Sequence, residues 1–212
     1  MSLFVKLCGI RTAAELEVAV DAGADAVGFV LTPSPRQIPL AHAGRLLRML
    51  PSSVLGVAVF HDPTPGLLRR TEAEVGPDLF QAERSKLSGV PPDKVFPVVV
   101  DRPDLSEAVD RALEATPRGM VLVDSAAKGG TGRHSNLDRL ASIRSIDHVV
   151  IAGGLDHRNV GTIVARLGPG GVDVSSGIER EPGVKDPGRM REFVTAARAA
   201  EVAMTSTHGG ED

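Results

Sequence analysis

The sequence predicts an α/β fold, a single (β/α)8 TIM barrel in which parallel strands close into a cylinder with helices outside. Short apolar runs rich in Val, Leu, Ile and Ala alternate along the 212 residues with helix-like stretches. Runs that are apolar throughout are typical of parallel strands covered on both faces. Eight such units in about 200 residues suit a compact closed barrel. A doubly wound open sheet of about five or six strands is the alternative, and it leaves two units over.

The elements follow in order along the chain. Strands are predicted at 3–8, 24–31, 53–60, 78–81, 93–100, 118–124, 148–154 and 170–177. Helices are predicted at 12–23, 39–50, 63–76, 104–116, 136–145, 156–168 and 186–200. The first helix has the clearest limits, because Thr12 and Glu15 match a capping box and Gly23 matches a C-terminal glycine stop.

The fourth strand–helix unit is expected to be irregular. The segment RSKLSGVPP, residues 84–92, contains a glycine and two prolines and has little helix-forming pattern. No linker or change of composition indicates a second domain. We therefore expect residues 1–200 to form one barrel domain and residues 201–212 to form a frayed C-terminal tail.

Composition limits the partners of this chain. A net charge of −3 gives no general attraction to nucleic acid or anionic membrane, and the absence of Trp and Tyr removes the usual stacking platforms for bases. No apolar run reaches membrane-spanning length. The single cysteine cannot form an internal disulfide, which favours a reducing, cytoplasmic setting. We expect a small-molecule partner, with no nucleic acid and no membrane.

Three side chains that could take part in catalysis or binding lie near the carboxyl ends of predicted strands. Cys8 ends the first strand, Arg36 lies in the loop after the second, and Asp124 ends the sixth. Active sites of such barrels lie at this end, so the three residues are expected to face one mouth. A lone cysteine in an apolar strand is usually a small buried hydrophobe, but its position at a strand end makes a functional role as credible as packing.

Glycine clusters after the last two strands indicate an anion site. Gly153 and Gly154 follow the seventh strand, and Ser176 and Gly177 follow the eighth. Backbone amides in such turns bind phosphate, and the loops after strands 7 and 8 are where barrel enzymes hold it. The glycine-rich loop at 124–134 matches no nucleotide-binding motif and is expected to act as a lid. The six histidines lack metal-binding spacing, so no metal is expected.

Seven stretches form a specific combination that runs from residue 5 to about residue 194: VKLCGIRT, DAGADAVGFV, SPRQI, LVDSAAKGGTG, IAGGLDHRNV, GVDVSSGIE and PGVKD. With these stretches in this order, the chain resembles the phosphoribosylanthranilate isomerase family of tryptophan biosynthesis. The resemblance implies a cofactor-independent aldose–ketose isomerase. The reaction would be the Amadori rearrangement of N-(5-phosphoribosyl)anthranilate to 1-(2-carboxyphenylamino)-1-deoxyribulose 5-phosphate.

The resemblance also implies roles for individual residues. Asp124 would be the general acid that opens the furanose ring, and Cys8 the general base that removes the C2′ proton. Arg36 would hold the anthranilate carboxylate. The phosphate would lie against Gly153, Gly154, Ser176 and Gly177, and further substrate contacts would come from Gln81 and Gly130. A thiol needs a lowered pKa to act as a base near neutrality, and an acid at Asp124 needs a raised one.

Three segments depart from the family pattern, and one is FHDPTP, residues 60–65, where the third strand of the family usually ends in Val-Asn. Gln81 to Arg84 replaces a Gln-Leu-His-Gly run, and His134 to Leu137 stands where Phe-Asp-Trp is common. The alternatives are the sister isomerase of histidine biosynthesis, an enzyme accepting both substrates, indole-glycerol-phosphate synthase, and a phosphate-binding paralogue without catalysis. The sister isomerase family carries a pair of aspartates. One of them lies on the first strand, where this chain has Cys8. The oligomeric state is left open between a monomer and a homodimer.

Overall fold

A computed structural model describes residues 2–124 and 137–208 of the chain. Eight parallel strands form a closed barrel in sequence order, and β8 pairs with β1 to complete it. The strands are β1 Phe4–Cys8, β2 Ala26–Val30, β3 Leu55–Val59, β4 Leu79–Glu83, β5 Val95–Val100, β6 Val121–Asp124, β7 Val149–Ala152 and β8 Gly171–Val174. The predicted barrel is therefore confirmed, with each strand inside its predicted limits or within two residues of them.

Helices on the outside connect the strands. They are α1 Ala13–Asp21, α2 Leu40–Leu47, α3 Pro65–Glu74, α4 Leu105–Glu114, α5 Leu137–Ala141, α6 Val160–Leu167 and α7 Pro187–His208. The predicted capping box of α1 is present, because the side chain of Thr12 accepts from the backbone of Glu15 while the Glu15 carboxylate accepts from the backbone of Thr12. Gly23 follows at φ 86°, a left-handed conformation that suits glycine.

The fourth unit is irregular, as predicted. Two short 3₁₀ helices, Arg84–Lys86 and Pro92–Lys94, connect β4 to β5 in place of an α-helix. Proline cannot donate the backbone hydrogen bonds that a longer helix would need at this point. This side of the barrel is therefore covered by a loop segment.

Two parts of the C-terminal region differ from the sequence-based expectation. The segment after β8 contains a 3₁₀ turn, Ser176–Ile178, and an antiparallel hairpin of β9, Glu179–Glu181, with β10, Val184–Lys185. Helix α7 continues to His208, eight residues past its predicted end. Its final turns remain helical because Glu201 accepts a hydrogen bond from the Leu3 amide at 2.6 Å and Met204 packs against the core.

The core has two layers separated by the strands. Between strands and helices lies a large aliphatic layer, and inside the barrel lies a smaller one of Ala26, Val57, Leu79, Phe96, Leu122, Val150 and Ala152. Side chains alternate along a strand between these layers. The alternation directs Lys6, Cys8, Gln81, Asp124 and Asp173 into the barrel interior, where they share space with the smaller apolar layer.

Candidate active site

Cys8 and Asp124 lie at the same end of the barrel. Cys8 is the last residue of β1 and Asp124 is the last residue of β6, and both strands run in the same direction. Each lies two residues beyond another inward-facing side chain, Lys6 and Leu122, so each points toward the mouth. The structure therefore brings the predicted acid and base to one opening.

A glycine on the neighbouring strand makes room for the thiol. Gly28 pairs with Cys8 across β1 and β2, and a Cβ atom placed at Gly28 would lie 2.8 Å from the Cys8 sulfur. That separation is far below an ordinary contact of about 3.5–4.0 Å. Sequence reasoning did not select Gly28, although a glycine inside an apolar strand is a signal of close approach.

A buried ion pair lies beneath Cys8. The Lys6 ammonium contacts the Asp173 carboxylate at 2.7 Å, and the Lys6 side chain is fully buried. Burial acts to lower the pKa of Lys6, but the charges of Asp173 and Cys8 outweigh it, so the pKa is raised and Lys6 remains a cation. The site thus holds a fixed positive charge on the same strand and the same face as the thiol.

The pKa of Cys8 moves in the opposite direction from the one expected for a neutral-pH base. Burial raises the pKa of the thiol, and the positive charges of Lys6 and Lys185 offset only part of that effect. The thiol therefore lacks the lowered pKa that a base near neutrality requires. The physical reason is that Cys8 is buried at the strand end, with 6% of its surface exposed, which the sequence does not reveal.

Arg36 is held by a carboxylate that sequence reasoning missed. Its Nε and Nη2 atoms donate to the two oxygens of Glu179 at 2.7 and 2.8 Å. Lys185 donates to the same carboxylate at 2.8 Å and to the backbone carbonyl of Ser175 at 2.9 Å. Glu179 and Lys185 belong to the segment IEREPGVKD, to which the sequence analysis assigned no side-chain role.

The titration of this cluster follows from its contacts. Burial acts to raise the pKa of Glu179, but hydrogen bonds from Arg36 and Lys185 outweigh it and lower the pKa, so the carboxylate is ionised. Burial lowers the pKa of Lys185, and its bond to Glu179 opposes that change. The pKa of Arg36 is raised, mainly by its hydrogen bonds to Glu179.

The two glycine clusters predicted to bind phosphate are in contact with each other. Gly153 and Gly154 have φ values of 92° and 70° directly after β7. A Cβ atom at Gly177 would lie 1.9 Å from the backbone oxygen of Leu155, so only glycine allows the two loops to meet. Ser176 is exposed at the start of the 3₁₀ turn. One exposed residue of each cluster, Gly154 and Ser176, therefore lies beside this contact at the mouth.

Gln81 is an inward-facing polar residue of β4. It is 6 % exposed, and its side-chain oxygen Oε1 has no hydrogen-bond partner within the described part of the chain. A buried acceptor of this kind is available to a donor on a bound molecule. Gly130 and the rest of the predicted lid loop lie outside the described residues.

A separate cavity lies at the opposite end of the barrel. It has a volume of about 560 Å³ and its lining includes Phe4, Met120 and His148. Phe4 begins β1 and Cys8 ends it, so the strand rise of about 3.3 Å per residue separates the cavity from the thiol by about 13 Å. This cavity is not part of the site that contains Cys8 and Asp124.

The described residues contain no group of three or more His, Cys, Asp or Glu side chains arranged to hold a metal ion. Among the same residues, none of the helices combines the length and the apolar character required to cross a bilayer.

Comparison with known proteins decides the family. The model of the family N-(5'phosphoribosyl)anthranilate (PRA) isomerase matches residues 5–196. The chain belongs to the phosphoribosylanthranilate isomerase family. An N-(5'-phosphoribosyl)anthranilate isomerase of Rhodopseudomonas palustris (strain BisB5) is 37% identical over 222 residues, which cover 97% of this chain and 100% of the relative. One from Bordetella petrii is 36% identical over 217 residues, covering 93% and 96%.

Solved phosphoribosylanthranilate isomerases have the same fold. The crystal structure of the Thermotoga maritima enzyme has a TM-score of 0.78 and 29% identity, covering 93% of this chain and 100% of that one. A structure of such an isomerase in complex with reduced 1-(o-carboxyphenylamino)-1-deoxyribulose 5-phosphate has a TM-score of 0.74 and 27% identity, with the same coverage. The predicted family, barrel fold and isomerase activity are therefore confirmed.

Proposed function

We propose that Asp124 is the general acid and Cys8 the general base in the rearrangement of N-(5-phosphoribosyl)anthranilate to 1-(2-carboxyphenylamino)-1-deoxyribulose 5-phosphate. The observation that carries this assignment is the placement of both inward-facing side chains at the carboxyl end of one barrel. Active sites of this fold lie at that end. The reaction belongs to tryptophan biosynthesis, and the catalytic domain is residues 1–200.

The proposed proton transfers balance within one turnover. Asp124 donates a proton to the ring oxygen as the C1′–O bond breaks, and the nitrogen lone pair forms a C1′=N iminium. The Cys8 thiolate removes the proton from C2′, and the electron pair moves to the iminium nitrogen. The enolamine then tautomerises to the aminoketose. The substrate's own iminium accepts the electrons, so the chemistry requires only an acid and a base.

The raised pKa of Cys8 fits a base that is activated after the substrate binds. Burial makes the thiol favour its neutral form. Ring opening creates a cationic iminium beside the sulfur, and a nearby positive charge favours the thiolate. The fixed charge of Lys6 acts in the same direction. The thiol would then pass its proton through solvent to the Asp124 carboxylate left by ring opening. Cys8 would be ionised when it removes the C2′ proton, and both residues would end the turnover protonated as they began.

The two anionic groups of the substrate would be held by different residues of the mouth. Arg36 would bind the anthranilate carboxylate through two parallel N–H bonds. The phosphate would accept hydrogen bonds from Gly153, Gly154, Ser176 and Gly177, the last two on the loop that meets Leu155.

Two further residues complete the proposed contacts. The unpartnered Oε1 atom of Gln81 would accept from a ribose hydroxyl. Gly130 would contact the substrate from the loop after β6. The partner would be this small phosphorylated aminoaldose, without nucleic acid, and the protein would be a monomer or a homodimer. A cytoplasmic location is proposed because the single catalytic thiol needs reducing conditions.

A fluorescence assay tests the proposed reaction. Purified protein is mixed with freshly prepared N-(5-phosphoribosyl)anthranilate, and the anthranilate-type fluorescence is expected to fall as product forms. A parallel assay offers the aminoaldose phosphate of histidine biosynthesis, which is not expected to react because Cys8 replaces the aspartate of that family. Constant fluorescence in the first assay contradicts the proposal, and turnover in the second shows a dual-substrate enzyme.

A further inference from the structure

The guanidinium of Arg36 is oriented by a buried network that reaches it from the β9–β10 hairpin. Glu179 binds Arg36 through two hydrogen bonds of 2.7 and 2.8 Å, and Lys185 binds Glu179 at 2.8 Å. The exposed fraction of the side chain falls along this series, from 24% for Arg36 to 4% for Glu179 and 0% for Lys185. Arg36 is therefore the member of the network that meets the solvent at the mouth.

Among the residues that the structure describes, hydrogen bonds occupy one edge of the Arg36 guanidinium and leave the other edge for a ligand. A guanidinium can present two edges that each hold a carboxylate with parallel N–H bonds. Glu179 occupies the edge formed by Nε and Nη2 of Arg36. The edge formed by Nη1 and Nη2 points away from Glu179 along the direction of the side chain. A second carboxylate can bind Arg36 there without displacing the first.

The charge of the network remains favourable for an anion. Arg36 and Glu179 together are neutral, and a neutral pair has little attraction for a carboxylate. Lys185 adds a buried positive charge beside Glu179, so the three side chains together carry one net positive charge. Lys185 has no exposed side-chain area, so a ligand at the mouth meets the positive charge of the network at Arg36.

The residue after Cys8 connects this network to the proposed base. Gly9 has φ 81°, and a Cβ atom there would lie 2.8 Å from the Cδ atom of Arg36 and 3.2 Å from the Nζ atom of Lys185. The backbone next to Cys8 thus packs directly on the stem of Arg36. The position of Arg36 is therefore set by the backbone beside Cys8 as well as by Glu179.

We propose that Glu179 is a positioning residue for the aryl-carboxylate site, holding Arg36 so that its outer edge faces the substrate, and that Lys185 keeps the network cationic. This inference rests on the proposed role of Arg36 in binding the anthranilate carboxylate. Glu179 does not itself touch the substrate. Its effect reaches the reaction through the orientation of one guanidinium.

The test compares two ligands that differ only in the carboxylate. They are reduced 1-(o-carboxyphenylamino)-1-deoxyribulose 5-phosphate and the corresponding phenylamino compound. Their dissociation constants are measured by calorimetry for the wild-type protein and for Arg36→Met, Glu179→Gln and Glu179→Asp. The last variant keeps a charge beside Lys185 but is one methylene shorter, so it protects the fold while breaking the two-bond contact. Glu181→Gln, an exposed position on β9, is the matched control.

The dissociation constant of the carboxylated ligand is expected to rise about tenfold in Glu179→Gln and Glu179→Asp, because a misplaced guanidinium loses its paired bonds to the ligand. The phenylamino ligand should bind every protein, including Arg36→Met, with wild-type affinity within about twofold. In turnover, KM should rise while kcat stays within about twofold of wild type. Glu181→Gln should match the wild type in every measurement.

The outcomes test the carboxylate-binding role of Arg36 separately from the positioning role of Glu179. If Arg36→Met weakens both ligands equally, the proposed carboxylate role of Arg36 is wrong. If Arg36→Met discriminates between the ligands but the folded Glu179 variants weaken both equally or neither, the positioning role is wrong and the role of Arg36 stands. Should Glu179→Gln fail to fold, Glu179→Asp decides between these outcomes. Should both Glu179 variants fail to fold, Glu179 is a structural residue and the positioning role is rejected.

Discussion

Replacing Gly28 by alanine should move the catalytic sulfur without unfolding the barrel. The new methyl group would start 2.8 Å from the Cys8 sulfur, 3.2 Å from the Cys8 Cα atom and 3.2 Å from a methyl of Val59. An ordinary contact is about 3.5–4.0 Å, so the sulfur must retreat by about 1 Å. The thiol is the end of a short side chain and can rotate, whereas the strand backbone cannot.

The expected consequence is a large loss of rate with a moderate loss of stability. A misplacement of about 1 Å in a reacting group costs about a hundredfold in rate. Overpacking a barrel interior at one methyl group costs about 1–3 kcal/mol in the free energy of unfolding. The expected kcat/KM of Gly28→Ala is therefore about one hundredth of the wild-type value, while urea denaturation should show a folded, cooperative protein.

A matched glycine controls for the substitution itself. Gly161 lies in α6, and a Cβ atom there would be 3.6 Å from its nearest neighbour, which is an ordinary contact. Gly161→Ala should leave kcat/KM unchanged and raise stability by about 0.5–1 kcal/mol, because alanine favours a helix. If Gly28→Ala retains more than about half of the wild-type kcat/KM, the tight packing of Gly28 against Cys8 does not govern catalysis.

Three further predictions concern charges and loop contacts. Lys6→Met should move the rising limb of the kcat/KM profile to higher pH, because it removes a charge that lowers the pKa of Cys8; an unshifted profile contradicts this. Glu179→Gln should cost about 3 kcal/mol of unfolding free energy at pH 7. Since the folded-state pKa of Glu179 is lowered, that difference should persist above its unfolded pKa of about 4.3 and shrink as pH falls through the folded value. Denaturation at pH 3 and pH 7 measures it, and an equal difference at both contradicts the ion pair. Gly177→Ala would place a methyl 1.9 Å from the Leu155 oxygen. The inhibition constant of inorganic phosphate as a competitive inhibitor should then rise about tenfold. An unchanged inhibition constant would mean that phosphate binding does not need the contact between the two loops.

The sequence predicted the elements well because their signals are local. The cap at Thr12, the stop at Gly23 and the irregular segment after β4 each depend on a few neighbouring residues. Cys8 and Asp124 could be placed because barrel geometry relates every strand end to the same mouth.

The missing parts of the site depend on contacts between distant residues. Lys6 pairs with Asp173, which is 167 residues away in the sequence, and Arg36 pairs with Glu179, which is 143 residues away. Neither partner can be selected until strand register and the β9–β10 hairpin are known. The direction of the Cys8 pKa also depends on tertiary structure, since burial at the strand end outweighs the nearby charges.

The acid–base assignment is the central claim, and paired active-site variants test it most directly. Cys8→Ala and Asp124→Ala are assayed for loss of substrate fluorescence beside the wild type, with thermal unfolding to confirm that each is folded. We expect kcat of each variant to fall by at least about a thousandfold, because each removes the group that moves a required proton. Near wild-type turnover in either folded variant would contradict the assignment.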